Sequence, residues 1–587
     1  MTVTLARRTV LAAGAALAAR PGLAAAPPPA DDLSFDLTQV PLSCAGSFLT
    51  LTHDPANTAL PLRLATVRKT AIPYRYQTGP WAHELLGIGF GPGAPVATPR
   101  ATPAGAELAV AGAAARVRFV DAVTLRVEAE GEPVRIVTAR GFSWQRDGGR
   151  RGFDNDSGYV IAVDGPAVHS AVTRDGGGAA EAFTIPPGTA ATLRFAAEVE
   201  DLTQPPGLGA GPVDAWMGDA PTFAADDTPA KRHATRIAWF LFWNLQVAPA
   251  GGYGGTAILS SKRSLSAVWS WDNLFNALAV VRARPALAWA QLFLVLAHQR
   301  ADGSLPDTVS DLRATYGFTK PPLWAWTVVQ LLRHTPAGQR RDLLARIYPR
   351  LARFHDWWFA ARDLRGDGVP AYLSGNDSGW DNSTVFDGGG PVQSPDLLAL
   401  LALDAEHLGT IAGMLGDAAA ARRWAGRARD HLDRFHAHFA SDGALGVHVQ
   451  TASGWAARAS TSLLTRIPVL LGPRLRADVR RTLVAELGDP SAFAAPCGPA
   501  SESLASPLYK ANGYWRGPVW GPSTLLIVRG LQACGEAALA RDLGDRYRAT
   551  CARAATFREN YDARTGEGND DGGMTWSAAD YLLLAQS

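Results

Sequence analysis

Ser394-Pro395-Asp396-Leu397-Leu398 opens the stretch that decides the fold. Ser394 stands as an N-cap, Pro395 suits the first helical position, and Asp396 places negative charge in the first turn. Leu397, Leu398 and Leu401 then line one face at helical spacing. Gly416 closes that helix, and a second runs from about Ala418 through His438. Apolar-periodic stretches recur at Trp289–Ala297, Leu323–His334, Ala345–Ala360, Leu463–Leu471, Arg476–Glu486, Thr524–Gly535 and Ala537–Ala555. Counted by pattern they number roughly a dozen, and successive antiparallel pairs of this kind close into a double ring. The expected architecture over residues 230–587 is therefore an (α/α)6 barrel, a six-hairpin toroid. No close sequence repeat accompanies the pairs, which argues against a regular solenoid.

Upstream the period is two. Val123-Thr124-Leu125-Arg126-Val127-Glu128-Ala129 alternates apolar and polar side chains, Gly131-Glu132-Pro133 breaks the run, and Val134-Arg135-Ile136 resumes it. Thr192-Leu193-Arg194-Phe195 and Ser47–Thr52 behave alike. Short strands punctuated by Gly and Pro predict an antiparallel β-sandwich over residues 31–202. A Pro/Gly-bearing linker, 203–229, joins it to the helices.

At 587 residues the chain has room for a large toroid and a smaller domain. Hydrophobic residues at 47% against 19% charged supply a large core. A net charge of +2 without a long Lys/Arg run makes nucleic acid a poor partner. The N-terminus reads as an export signal over residues 1–26. Arg7-Arg8-Thr9-Val10-Leu11 resembles a twin-arginine leader, with Val10 where Phe is usual, and Ala24-Ala25-Ala26 offers a cleavage site. The apolar run is too short to span a bilayer, so no membrane anchor is expected after its removal, and the expected location is periplasmic or secreted. Cys44, Cys497, Cys534 and Cys551 fit no metal spacing; Cys534 and Cys551 could pair, or all four could be buried thiols. Asp363-Leu364-Arg365-Gly366-Asp367-Gly368 hints at a calcium turn but lacks the Glu of an EF-hand, so a simple turn is the better reading and a structural Ca²⁺ the lesser one. No organic cofactor motif is present.

Chemistry concentrates in three segments of the helical half. They are Ser378-Gly379-Trp380-Asp381-Asn382-Ser383, Gly513-Tyr514-Trp515-Arg516-Gly517-Pro518-Val519-Trp520, and Phe557-Arg558-Glu559-Asn560-Tyr561-Asp562. Two carboxylates beside aromatic rings suffice to cut a glycosidic bond, one protonating the leaving oxygen and the other activating water. Among 18 Trp most fill the core, but flat rings also stack on sugar faces.

These segments, with Trp269-Ser270-Trp271-Asp272-Asn273, Gln299-Arg300-Ala301-Asp302-Gly303 and Lys320-Pro321-Pro322-Leu323-Trp324 in the same order, resemble glycoside hydrolase family 63 and its trehalase relatives. That clan holds α-glucosidases and mannosylglycerate hydrolases. The resemblance implies that Asp381 is the general acid, kept protonated against Trp380, and that Glu559 is the general base, ionised on the opposite face of the sugar. It implies inversion, with carboxyls about 6.5–9.5 Å apart. Asp272 is expected to accept hydrogen bonds from sugar hydroxyls in the terminal subsite, flanked by Trp271 and Asn273. Gln299, Trp324, Trp380, Asn382, Trp515, Trp520 and Trp576 are expected to line the pocket. Arg516 could hold a carboxylate of the substrate or of the enzyme. Two departures stand out. Asp377 replaces the Glu usual before Ser-Gly-x-Asp, and Tyr514-Trp515-Arg516 replaces the trehalase Gln-Trp-Asp, which weakens trehalose as substrate. The expected partner is an oligosaccharide or glycoside carrying a terminal α-linked sugar, foremost α-glucose. The rival readings are a polysaccharide lyase on a helical toroid and a catalytically inactive sugar-binding protein.

Overall fold

The computed structural model describes residues 33–69, 82–93, 98–139, 142–145, 151–154, 159–173, 179–196, 213–440 and 443–586. The leader expected at 1–26 and the first half of the expected linker lie outside them.

Two antiparallel sheets form the N-terminal domain. One runs in spatial order Leu49–His53, Leu62–Thr66, His83–Gly89, Val134–Thr138, Ala179–Ile185, Val168–Thr173. The other has eight strands, with Ala113–Asp121, Thr124–Glu130, Thr189–Ala196 and Val160–Asp164 at its centre. The alternation read from sequence is the cause of the register. Leu125 lies opposite Leu193 and Val127 opposite Ala191, and all four are buried, while the intervening Arg126 and Glu128 pair at 2.7 Å on the wetter face.

Helices α1 (Val213–Met217), α2 (Pro229–Asn244), α3 (Asp272–Val280), α4 (Pro285–Leu296), α5 (Trp324–Leu332) and α6 (Ala337–Arg362) follow. The short α7 (Gly375–Ser378) precedes α8 (Pro395–Leu415), α9 (Ala418–Phe439), α10 (Ala477–Gly488), α11 (Gly521–Ala533), α12 (Ala537–Ala554) and α13 (Thr575–Leu584). An inner ring is built by α3, α5, α8, the Leu463–Arg474 segment, α11 and α13, each packing on the next and α13 returning to α3. The outer ring is α2, α4, α6, α9, α10 and α12, which alternates with the inner one along the chain. The Leu463–Arg474 segment takes an inner place although it is 3₁₀ and kinked. Pro468 and Pro473 remove the N–H groups an α-ladder would need, and Gly472 turns at φ 57°.

Inner helices are enclosed on all sides, so α8 is apolar nearly all round rather than on one stripe. Its composition would pass for a membrane span, yet here it is a wall of the ring. Gly416 closes it in the left-handed region as expected, at φ 89°. Ser394 occupies the N-cap, but its hydroxyl goes to the Asp396 carboxylate instead of a backbone N–H.

The described end of the expected linker, 213–229, is packed rather than free. Trp216 stacks on Trp239 at 4.8 Å, and each indole N–H donates to the other's carbonyl at 2.9 Å. Asp226 pairs with Arg548 of α12, both buried. The sandwich is likewise sewn to the barrel. Fully buried Lys262 donates to Ser43 Oγ (2.9 Å) and to the Asn244 and Gln246 carbonyls (2.7 and 2.8 Å), and Asn244 in turn donates to the Pro41 carbonyl at 2.7 Å. All four cysteines are free thiols, so the Cys534–Cys551 pairing is not formed.

Candidate active site

Four inner helices begin right at residues singled out by sequence. Trp271 precedes α3, Trp324 opens α5, Trp520 precedes α11, and Trp576 sits in the first turn of α13. Helix N-termini carry partial positive charge, so this end of the ring suits carboxylates.

Glu559 lies on a two-residue hairpin, Asn560–Tyr561 against Gly568–Asn569, and its backbone N–H donates to the Asp571 carbonyl at 2.8 Å. Tyr561 also pairs with Val519 in both directions, at 2.7 and 3.0 Å, which locks the base loop to the Tyr514–Trp520 loop. Across that junction the Tyr514 hydroxyl donates to Glu559 Oε1 at 2.7 Å. Among the described residues the non-glycine positions with positive φ are Tyr514 (62°), Ala555 (52°), Phe557 (45°) and Asp570 (57°). Tyr514 bonds the Glu559 carboxyl, Phe557 and Asp570 border its loop, and Ala555 is the left-handed C-cap of α12.

Burial pushes the Glu559 carboxyl up to about 8, with Asp570, Asp571 and Asp272 adding to the rise and Tyr514 opposing it. Burial thus works against the ionised form in which Glu559 is expected to act. Burial withholds the solvation a carboxylate needs, and neighbouring acids resist another negative charge. A base must nevertheless be ionised when it acts, so kcat/KM should fall as pH drops through the pKa of Glu559. In the Tyr514→Phe variant the bond that favours the carboxylate is gone. Its acidic limb is expected to move to higher pH, read from a kcat/KM profile; an unmoved or lowered limb would remove Tyr514 from this role.

Asp381 follows α7 in the loop toward α8. Its pKa is raised, chiefly by burial and then by Asp307, while Lys320 pulls it down. Lys320 pairs with Asp307 at 3.1 Å and donates to the Asn376 carbonyl at 2.6 Å, so one ammonium props the acid loop. Asn382 staples that loop to its neighbour, donating to the Gly513 carbonyl (3.0 Å) and accepting from the Trp515 N–H (2.9 Å).

Five indoles from these loops and helix starts make one wall. Trp380 meets Trp515 at 4.3 Å, Trp515 stacks on Trp520 at 3.9 Å and 5°, and Trp576 stands edge-on to Trp520 at 5.5 Å and to Trp271 at 5.6 Å. Gly379 turns at φ 75° against this wall, and a Cβ there would lie 2.5 Å from the Trp271 ring. Gly379→Ala should cost about 2 kcal/mol or more of stability and lower kcat by displacing Asp381, two residues on. Denaturant titration and turnover both unchanged would contradict this.

The remaining sequence candidates divide. Asp272 is buried, pushed up to about 7 by desolvation, and accepts from Ser260 Oγ at 3.2 Å. Several others are corrected. Trp520 has no exposed surface and Trp324 and Trp515 almost none, so they support the pocket rather than touch a sugar. Gln299 spends its amide on the Gly303 and Arg350 carbonyls (2.9 and 2.8 Å), and Asn273 donates to the Gln291 carbonyl of α4. Arg516 pairs with Asp387 and donates to the Asn382 carbonyl at 2.7 Å, so its carboxylate is the enzyme's own. Asp377 is buried and holds Arg362 (2.7 Å) and the Leu373 and Thr319 N–H groups (2.8 and 3.0 Å); its departure from Glu does not face the pocket. Asp363 accepts three backbone N–H groups of its turn, and among the described residues no group of acids, His and Cys is arranged to hold a metal. Tyr514, Lys320 and Asp307 were not among the candidates. Tyr514 sat in the Gly513–Trp520 segment, unread beside its louder Trp and Arg neighbours.

A closed double ring of helices, with Glu559 buried and Asp381 half-buried on its loops, is the form of an (α/α)6 glycoside hydrolase. The family model for the mannosylglycerate hydrolase MGH1-like glycoside hydrolase domain matches residues 266–577, more than half of the chain. The chain belongs to that family, within glycoside hydrolase family 63. It is 25% identical to a mannosylglycerate hydrolase of Thermus thermophilus over 398 residues, 53% of this chain and 92% of that one. The mannosylglycerate hydrolase MGH1 of Selaginella moellendorffii is 25% identical over 390 residues, 53% of this chain and 78% of its own. Among solved structures, the Thermus thermophilus enzyme in complex with Tris superposes at TM-score 0.52, 22% identity, covering 60% of this chain and 99% of that one. A bacterial glucoamylase with acarbose superposes at 0.60, 11% identity, over 94% of both chains, so its fold includes the sandwich.

Proposed function

We propose that this protein is an inverting, exo-acting glycosidase that releases a terminal α-linked hexose, foremost glucose, with Asp381 as acid and Glu559 as base. The carrying observation is the Tyr514–Glu559 bond, which seats one carboxyl against the loop stapled by Asn382 to the other. In the first half of the reaction coordinate Asp381 gives its proton to the glycosidic oxygen. Glu559 takes a proton from water attacking the anomeric carbon from the other side, and the carboxyls exchange charge states. Asp272 is the candidate for fixing hydroxyls of the terminal sugar. The lyase reading gives way to the family assignment.

A neutral aglycone is favoured because Lys320 and Arg516 are already paired with Asp307 and Asp387. The family match favours a second reading, an α-mannosyl or α-glucosyl glycerate. Proton NMR of the protein with α-1,2-, α-1,3- and α-1,4-linked glucose disaccharides, trehalose and mannosylglycerate tests both. A β-anomer appearing first, from whichever compound is cut, supports inversion; an α-anomer first overturns it.

A further inference from the structure

The inner helices also end together. Their C-terminal turns enclose a second cavity of about 520 Å³ at the end of the ring opposite the carboxyl pair, a size that accommodates a small organic ligand. Its lining carries Arg282, Arg333, Arg474 and Arg529 with His334 and His407, and no Asp or Glu.

Arginine at a helix C-terminus ordinarily serves the terminal carbonyls and the negative end of the dipole. That accounts for two of the four. Arg474 donates to the Leu471 carbonyl at 3.2 Å and pairs with Glu406. Arg529 donates to the Leu583 carbonyl at 3.3 Å and to Gln532 Oε1 at 3.2 Å. Arg282 and Arg333 have no carboxylate within ion-pair distance among the described residues, and the partner Arg282 does take is itself basic, His334 Nε2 at 3.5 Å. Arg333 also faces the half-buried Arg529, whose guanidinium is pushed down by burial and then by that neighbouring charge. Cations gathered without a counter-charge in a concave site repel one another and draw in an anion.

We propose that this cavity binds a phosphate-bearing small molecule, its oxyanion held between Arg282, Arg333 and Arg529 and its body against Trp326. Several guanidinium groups lining one cavity can share the oxygens of a phosphate between them. The site is separate from the carboxyl pair and does not depend on the hydrolase reading.

Calorimetric titration of the full chain at constant ionic strength tests this, with inorganic phosphate and glucose 6-phosphate as separate probes. Saturable one-site binding is expected. Arg282→Gln and Arg333→Gln should each weaken it about ten-fold, and the double variant should abolish it. Both residues are exposed, so glycoside turnover and thermal melting should be unchanged in the variants, which separates loss of the site from loss of the fold. Equal affinity for both probes supports recognition of the oxyanion alone, and tighter glucose 6-phosphate supports a contribution from the body. No saturable binding of either probe, or affinity retained in the double variant, overturns the proposal.

Discussion

Turnover by the Glu559→Gln variant is expected to fall by about 10²–10⁴-fold for every glycoside, whatever its leaving group. The amide cannot take a proton from the attacking water, and no other described carboxyl is bonded to Tyr514. The swap nearly preserves shape, and the Tyr514 hydroxyl can still donate to the amide oxygen. Melting should therefore change little, or rise, since a buried acid with a raised pKa is relieved. Parallel rate and melting measurements check this. Activity kept within ten-fold would mean that Glu559 is not the base.

The Asp381→Asn variant should behave differently. With an alkyl or sugar leaving group the rate should also drop by about 10²–10⁴-fold, because an alkoxide leaves poorly without a proton. With an α-glycosyl fluoride, whose leaving group needs little protonation, most of the rate should remain. The alkaline limb of the kcat/KM profile should disappear as well, since Asp381 must be protonated to act and its loss of the proton ends activity as pH rises. Equal loss on both substrate types would exchange the roles of the two carboxyls or void the pair.

Much of this was legible before any coordinates. Helix pairs announced themselves because inner helices are apolar and bounded by Pro and Gly, and the period-two runs became strands whose buried faces are the residues read as apolar. The three chemical segments do converge. What sequence could not convey is which side of a residue faces the cleft. Gln299 and Asn273 stand in site motifs yet point their amides at backbone carbonyls. Trp520 closes the Gly513–Trp520 segment yet sees no solvent, because a stack needs an inner ring to hold the outer one. Asp377 looked like an altered pocket residue and proved to be a brace for Arg362. Ionisation was equally hidden, since the rise in Glu559 comes from acids and indoles brought together only by folding.

The turn preceding the sandwich reaches the far end of the chain. Gln39 accepts from Arg558, next to the base, and the Thr38 carbonyl accepts from Arg263, while a Cβ at Gly572 would collide with the Gln39 carbonyl at 2.6 Å. Residues ahead of the sandwich thus complete a loop more than 500 positions downstream, and α13 must then slot between α3 and α11, against α2, to shut the ring. Until that happens a nascent chain holds α3 and α11, the neighbours of α13 in the inner ring, beside an open seam. Its exposure to chaperones should end, and its first catalytic cycle begin, at one and the same closing event.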